Sequence, residues 1–112
     1  MDDLIIKKSK IGQFDDGLGV FANRDFKKGE VVVKYNLKIL TRDQFRKLPK
    51  SEKNHIHIRG GVIYLYPLPA RYVNHSSAPN TIQNFEEGCD IAVRDIKKNE
   101  EITCDSTKED FD

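Results

Sequence analysis

The sequence predicts one mostly β domain with little helix, on three observations. Apolar residues occur in short runs bounded by glycine, proline and polar residues rather than at helical spacing. Only one stretch carries a clear signal for the start of a helix. One nine-residue segment is repeated, and each copy lies between two β-like runs. Since 112 residues is a typical length for a single domain, we expect residues 1–112 to share one core.

Short apolar runs predict the strands. Residues 31–35 are unbroken and rich in valine, which favours a buried strand. Residues 55–58 alternate polar and apolar, which predicts a half-buried strand with His55 and His57 on its exposed face. Further strands are predicted at residues 4–9, 20–22 and 62–66. Residues 37–40 either extend the 31–35 strand or begin a neighbouring one.

The one helix signal is at Thr41. Thr41 suits an N-cap, Asp43 and Gln44 suit a first helical turn, and Pro49 ends the segment soon afterwards. The polar residues 50–54 predict a loop. The glycine-containing residues 12–19 predict another.

The repeated segment reads Ala-x-Arg-Asp-Phe-Lys-Lys-Gly-Glu at residues 22–30 and Ala-x-Arg-Asp-Ile-Lys-Lys-Asn-Glu at residues 92–100. Gly29 and Asn99 occupy the same place, and both residue types tolerate a positive φ. The repeat predicts two similar strand–turn–strand units. It supports a β-rich chain and carries no function by itself.

Composition limits the classes of function. With 19 Lys and Arg against 18 Asp and Glu, the net charge of +1 gives no general case for direct nucleic-acid binding. No apolar run has membrane-spanning length and no signal peptide is evident, so we expect an intracellular protein, cytoplasmic or nuclear if eukaryotic. Cys89 and Cys104 favour two reduced thiols, with a disulfide as the alternative, and they are too few for a zinc site.

The densest polar run is residues 71–80, Arg-Tyr-Val-Asn-His-Ser-Ser-Ala-Pro-Asn. Asparagine and serine compete for backbone hydrogen bonds and Pro79 has no N–H, so the run predicts an ordered loop rather than a helix. A loop so rich in hydrogen-bonding groups is a typical place for a functional site.

This run resembles the Arg-aromatic-x-Asn-His-Ser-x-x-Pro-Asn signature of SET-domain protein-lysine methyltransferases. Residues 17–22, Gly-Leu-Gly-Val-Phe-Ala, resemble the family's early glycine motif. Residues 92–96 and the Glu-Glu-Ile-Thr of residues 100–103 resemble the run that leads into its C-terminal motif. The resemblance covers most of the chain and is to minimal, stand-alone SET domains such as small viral and bacterial members. It implies several short curved sheets with a knot-like crossing of the Asn-His-Ser and C-terminal segments.

The resemblance implies a protein-lysine N-methyltransferase that uses S-adenosyl-L-methionine and a lysine of a protein or peptide. Since the attacking amine must be neutral and lysine's reference pKa is about 10.4, such a site needs a narrow, desolvated channel. Residues 38–54 leave little room for the family's central helical insert. A partner in a homodimer is one way to hold the substrate instead.

The resemblance also implies particular site residues. Tyr35 would line the lysine channel, and Ser106 occupies the position of the family's C-terminal tyrosine. The residues themselves also allow structural roles in place of these. The glycines can form a tight turn, Arg71 a salt bridge, and His75 loop hydrogen bonds. Tyr35 can be an aromatic residue of the sheet, and Phe111 a residue of the C-terminal tail. Gln83 also matches a channel position, although an exposed strand glutamine is the favoured interpretation. The implied cofactor contacts are Gly17, Leu18, Gly19, Arg71, Asn74, His75 and Phe111.

Ser106 separates two functional hypotheses. A serine hydroxyl falls well short of the place that a tyrosine hydroxyl reaches, and no tyrosine follows Tyr72. The first hypothesis is therefore an active methyltransferase, and the second is a SET-fold module that binds cofactor or peptide without turnover. A third hypothesis is a small structural or partner-binding β domain without a cofactor.

Overall fold

Short strands make up most of the computed structural model, which describes residues 3–12 and 17–105. The mostly β prediction is confirmed, and no helix in the described part is long and apolar enough to cross a membrane. The helices are α1 (Arg42–Arg46), α2 (Lys50–Lys53) and a 3-10 turn (Ala70–Tyr72). The strands are β1 (Leu4–Lys8), β2 (Leu18–Ala22), β3 (Val31–Lys34), β4 (Lys38–Leu40), β5 (Ile56–Arg59), β6 (Val62–Leu65), β7 (Asn74–His75), β8 (Thr81–Asn84), β9 (Cys89–Ala92) and β10 (Glu101–Cys104).

The first sheet brings the predicted motifs together. Its strand order is β1-β2-β10-β7. Strand β10 pairs antiparallel with β2 and parallel with β7, where Thr103 lies opposite Asn74 and Cys104 opposite His75. Strand β2, which carries Gly19, and the Asn-His pair of β7 therefore flank the same strand, β10. The predicted knot-like crossing involves residues beyond Asp105, which lie outside the described part of the chain.

The second sheet contributes Val32, Val33 and Ala92 to the main core. Its order is β3-β9-β8, with a register shift between Val31 and Val33. Five large side chains of the core are at most 1% exposed, and each contributes about 1.5–3 kcal/mol of burial free energy. They are Val20, Phe26, Val33, Ile96 and Ile102.

The third sheet has its own small core. Its order is β4-β6-β5, and Leu40, Ile63 and Leu65 pack against residues of α1 and the segment after it. The predicted N-cap of α1 is confirmed, because Gln44 N donates to Thr41 Oγ1 at 3.1 Å and Thr41 N donates to Gln44 Oε1 at 2.9 Å. This reciprocal capping box satisfies two backbone donors.

The prediction that His55 and His57 share an exposed strand face is wrong. His57 is 2% exposed while Ile58 is 50% exposed. The His57 ring lies 4.4 Å from that of Phe85, and the His55 ring lies 5.7 Å from that of Tyr72. The alternation of polar and apolar residues shows which side chains share a face of the strand. Which face is buried depends on Phe85, a residue distant in sequence that packs against His57.

Two predicted loops are also corrected. Within residues 50–54, Lys50–Lys53 form the short helix α2, which begins after Pro49 without a side-chain cap. A helix of four residues is too short to show an apolar period. Strand β2 begins at Leu18, so Gly19 belongs to a strand and not to the loop predicted at residues 12–19.

The two copies of the repeat pair with each other. Phe26 and Ile96 exchange both backbone hydrogen bonds, each 2.8 Å long. Lys28 N donates to Asp95 Oδ1 at 2.9 Å, and Lys98 N donates to Asp25 Oδ1 at 2.8 Å. The expected positive φ occurs at Gly29 (92°) and Asn99 (78°). The predicted strand–turn–strand units are therefore related by a local pseudo-two-fold axis.

Candidate active site

Asn74 is the centre of a buried polar cluster. Its side chain is 0% exposed, and its Nδ2 group donates to Leu18 O at 3.0 Å, Glu101 Oε2 at 2.8 Å and Ser9 Oγ at 3.2 Å. Among the described residues no donor reaches Asn74 Oδ1. A buried carbonyl oxygen without a donor is costly, so this atom is a strong candidate to accept a hydrogen bond from a ligand.

Gly19 lets β2 approach this cluster closely. A Cβ atom at position 19 would lie 2.9 Å from Ser9 Cβ and 3.0 Å from Asn74 Nδ2. Neither distance leaves room for a methyl group, because both neighbours are held in hydrogen bonds. Gly17 has a φ of 66° and its carbonyl accepts from Ser9 N at 2.8 Å. Glycine is therefore favoured at the two positions for different reasons. Position 19 needs a close approach of β2 to the cluster, and position 17 needs a left-handed backbone.

Ser9 and Glu101 were not among the residues predicted for the site. Ser9 Oγ donates to the Glu101 carboxylate, at 2.7 Å from Oε1, and accepts from Ile11 N at 3.0 Å. Glu101 thereby fixes both Ser9 and the Asn74 amide. Its position in the Glu-Glu-Ile-Thr run was the available signal, but only the pairing of β10 with β2 and β7 reveals its role.

His75 and Arg71 lie on either side of Asn74 with different partners. His75 Nδ1 is 3.6 Å from Asp105 Oδ1, and both side chains are partly exposed. The Arg71 guanidinium forms a bidentate ion pair with Glu52, at 2.7 and 3.0 Å, and its Nε donates to Tyr66 O. The structure thus shows the salt bridge that was the alternative for Arg71. This bond to Arg71 holds the pKa of Glu52 below its ordinary value.

Tyr35 lies beyond the end of β3, 2% exposed, and its hydroxyl donates to the Asp90 carboxylate. Its ring meets that of Tyr66 edge-on, with 5.3 Å between centroids. Burial, followed by the nearby Asp90 charge, raises the pKa of Tyr35 well above its ordinary range. Tyr35 is therefore a neutral phenol.

A cavity of about 360 Å³ lies between β8 and the end of β10. Gln83, Thr81 and Asp105 contribute polar groups to its lining, and Ile82 and Val93 contribute apolar surface. This places Gln83 at a cavity wall rather than on a fully exposed strand face. Asp105 is the last described residue, so the predicted site residues Ser106 and Phe111 lie outside the described part of the chain.

Fold and site together define a class of protein. Strand β2, which carries Gly19, and the Asn-His pair of β7 flank β10 within a set of small sheets. The SET domain family matches residues 17–105, and the chain belongs to that family.

Two solved structures share the fold. A candidate histone methyltransferase from Plasmodium falciparum matches with a TM-score of 0.72 and 20% identity, covering 97% of this chain and 96% of that one. A structure of ctPRC2, in an autoinhibited conformation bound to S-adenosylmethionine, matches with a TM-score of 0.66 and 22% identity. That match covers 93% of this chain and 15% of the ctPRC2 chain.

Proposed function

We propose that this protein is an S-adenosylmethionine-dependent protein-lysine methyltransferase. The observation that carries the proposal is the buried Asn74 amide, whose Nδ2 is held by protein acceptors while no described donor reaches Oδ1. An amide oxygen presented in this way suits an ammonium group. The amino-acid end of the cofactor offers an ammonium and a carboxylate together.

The residues around Asn74 fit this cofactor. Backbone groups of Gly17, Leu18 and Gly19 are suited to the methionine part, and Asn74 and His75 to the ammonium and adenine ends. When bound, the cofactor supplies an electrophilic methyl group. Phe111 remains a predicted contact to the adenine. Arg71 acts through Glu52 and Tyr66 O in this proposal, anchoring the segment that leads to Asn74.

The cavity at Gln83 is the proposed entry for the lysine side chain. Its apolar lining by Ile82 and Val93 suits the methylene stem, and its polar groups suit the amine. Apolar walls also favour the neutral form of the amine, because a charged group loses hydration there. The nitrogen can attack only in that form.

The alternative is a SET-fold module that binds cofactor or peptide without turnover. The specific observation in its favour is the serine at position 106. The shorter side chain cannot take the place of a tyrosine hydroxyl in orienting the amine. Binding and transfer must therefore be measured separately.

Calorimetric titration with S-adenosylmethionine is the first experiment, followed in the same sample by transfer of labelled methyl groups to core histones and mixed lysine-bearing proteins. Asn74→Ala should weaken binding about 10- to 100-fold, since a hydrogen bond to a charged group contributes about 1.5–3 kcal/mol. Asn84→Ala is the matched control, because the Asn84 side chain accepts from Glu87 N in an exposed turn at the end of β8, away from the Asn74 cluster. Circular dichroism checks that both variants fold.

Three results are distinguishable. Binding with transfer supports the enzyme. Binding without transfer supports the inactive module, and Ser106→Tyr is then the variant expected to restore turnover. No binding at millimolar cofactor overturns the enzyme and the cofactor-binding module, and leaves a domain without a cofactor.

A further inference from the structure

Glu101 is a half-buried carboxylate whose hydrogen-bond partners are all neutral. It lies in β10 and accepts from the Ser9 hydroxyl, at 2.7 and 2.8 Å, and from the Asn74 amide group, at 2.8 Å from Oε2. Within residues 3–12 and 17–105, no lysine, arginine or histidine forms an ion pair with Glu101. The described part of the protein therefore leaves the charge of this carboxylate without a counter-charge.

The Glu101 carboxylate determines which atom of the Asn74 amide faces away from the cluster. Asn74 Nδ2 donates to Glu101 Oε2 at 2.8 Å and to Leu18 O at 3.0 Å. If the amide were turned over, its oxygen would meet these two acceptors, and repulsion would replace both hydrogen bonds. Nδ2 is therefore directed at Glu101, and Oδ1 is left to accept from a ligand.

The same hydrogen bond strengthens Asn74 Oδ1 as an acceptor. A hydrogen bond to an ionised partner is stronger than one between neutral groups, and bonds in a chain polarise one another. Asn74 is 0% exposed, so water screens this effect little at the amide. An amide oxygen backed by a carboxylate in this way favours a positively charged donor.

We infer that Glu101 is a positioning residue that makes the site selective for the ammonium group of the cofactor, acting through the Asn74 amide. It is the counter-charge of that ammonium group without touching it. A ligand that lacks the ammonium group gains nothing from this charge, so Glu101 should matter little for its binding. The inference rests on the proposed function and goes beyond it by assigning the selectivity of the site to one carboxylate.

Two ligands that differ only in the ammonium group test the inference. They are S-adenosyl-L-homocysteine and its des-amino analogue, in which hydrogen replaces the ammonium group. Glu101→Gln removes the charge with little change in volume, and its amide can donate to a turned Asn74 oxygen. In calorimetric titration of the full chain, the affinity for S-adenosylhomocysteine should fall about 10-fold while that for the des-amino analogue stays within about twofold.

Glu100→Gln is the matched control, because it removes the same charge at the preceding residue. Glu100 pairs with Arg94 at 3.0 Å and accepts from Lys97 N, so this substitution should leave the ratio of the two affinities unchanged. In a double-mutant cycle, Glu101→Gln should have almost no further effect on S-adenosylhomocysteine affinity in an Asn74→Ala background, because the residue acts through that amide.

A second variant covers the case in which Glu101→Gln does not fold, which circular dichroism would show. Glu101→Asp keeps the charge, but its shorter side chain loses the hydrogen bond to Asn74 Nδ2. It should lower the ratio of the two affinities at least about threefold.

The outcomes separate this inference from the proposed function. If the wild type binds neither S-adenosylmethionine nor S-adenosylhomocysteine, the proposed function is overturned and this inference with it. If the wild type binds and the Glu101 variant keeps the wild-type ratio of the two affinities, only the inference is overturned. An equal loss of affinity for both ligands, or additive effects of the Glu101 and Asn74 substitutions, would assign Glu101 a structural role and also overturn the inference.

Discussion

Replacing Asn80 by alanine should destabilise the fold more than most single substitutions. Asn80 is 2% exposed and joins the segment of residues 71–80 to β10 through its side chain. Its Nδ2 donates to Glu101 O at 2.8 Å, and Thr103 N donates to its Oδ1 at 2.9 Å. Two hydrogen bonds contribute about 1 kcal/mol each, and the buried Thr103 N–H left without its acceptor costs about 1–3 kcal/mol more. We expect a loss of about 3–5 kcal/mol in the free energy of unfolding.

That loss is a large share of the roughly 5–15 kcal/mol that stabilises a domain. It should lower the melting temperature by about 12–40 °C, at about 4–8 °C per kcal/mol for a chain of this size. Since the sequence has no tryptophan, urea unfolding is best followed by far-UV circular dichroism. Asn84→Ala, on an exposed turn, should cost less than about 1 kcal/mol. An Asn80→Ala protein within about 1 kcal/mol of wild type would refute the reasoning.

Three further predictions follow from local contacts. Gly19→Ala should abolish measurable cofactor binding in calorimetry and lower the melting temperature, since its methyl group has no space beside Ser9; normal affinity would contradict the close approach. Thr41→Ala should cost about 1 kcal/mol in urea unfolding by removing the α1 cap, and an unchanged midpoint would exclude a stabilising cap. Glu52→Gln should destabilise the protein at pH 7. The folded pKa of Glu52 lies below its ordinary value of 4.5. The stability difference between Glu52→Gln and wild type should therefore shrink below pH 4.5 and vanish once the pH falls through the folded pKa. A stability difference that does not depend on pH would exclude the Arg71 ion pair as its source.

Local patterns predicted the elements that local chemistry determines. The valine-rich β3 and the Thr41 cap depend on neighbours in sequence, and both are confirmed. His57 shows the limit of such patterns, since its burial depends on Phe85 rather than on the residues beside it. The short helix α2 was missed because its four residues carry no periodic signal.

The site was predictable only as far as a motif could be recognised. The resemblance indicated Asn74 and the glycines, and the structure places Gly19 and the Leu18 carbonyl beside the Asn74 amide. Ser9 and Glu101 could not be predicted to hold that amide, because their meeting depends on which strands pair.

Strand β10 lies between β2 and β7 in the first sheet but follows both of them in the chain. The sheet therefore cannot assemble in the order in which its strands are synthesised. Ser9 and Glu101 are 92 residues apart in sequence, yet they share the hydrogen bonds that hold Asn74. A ribosome-bound chain that ends before residue 101 would have β1 and β2 but lack the strand that joins them to β7. Contacts between such distant residues are slow to form. The cofactor site should therefore be among the last parts of the molecule to appear, so cofactor binding would report the completion of folding.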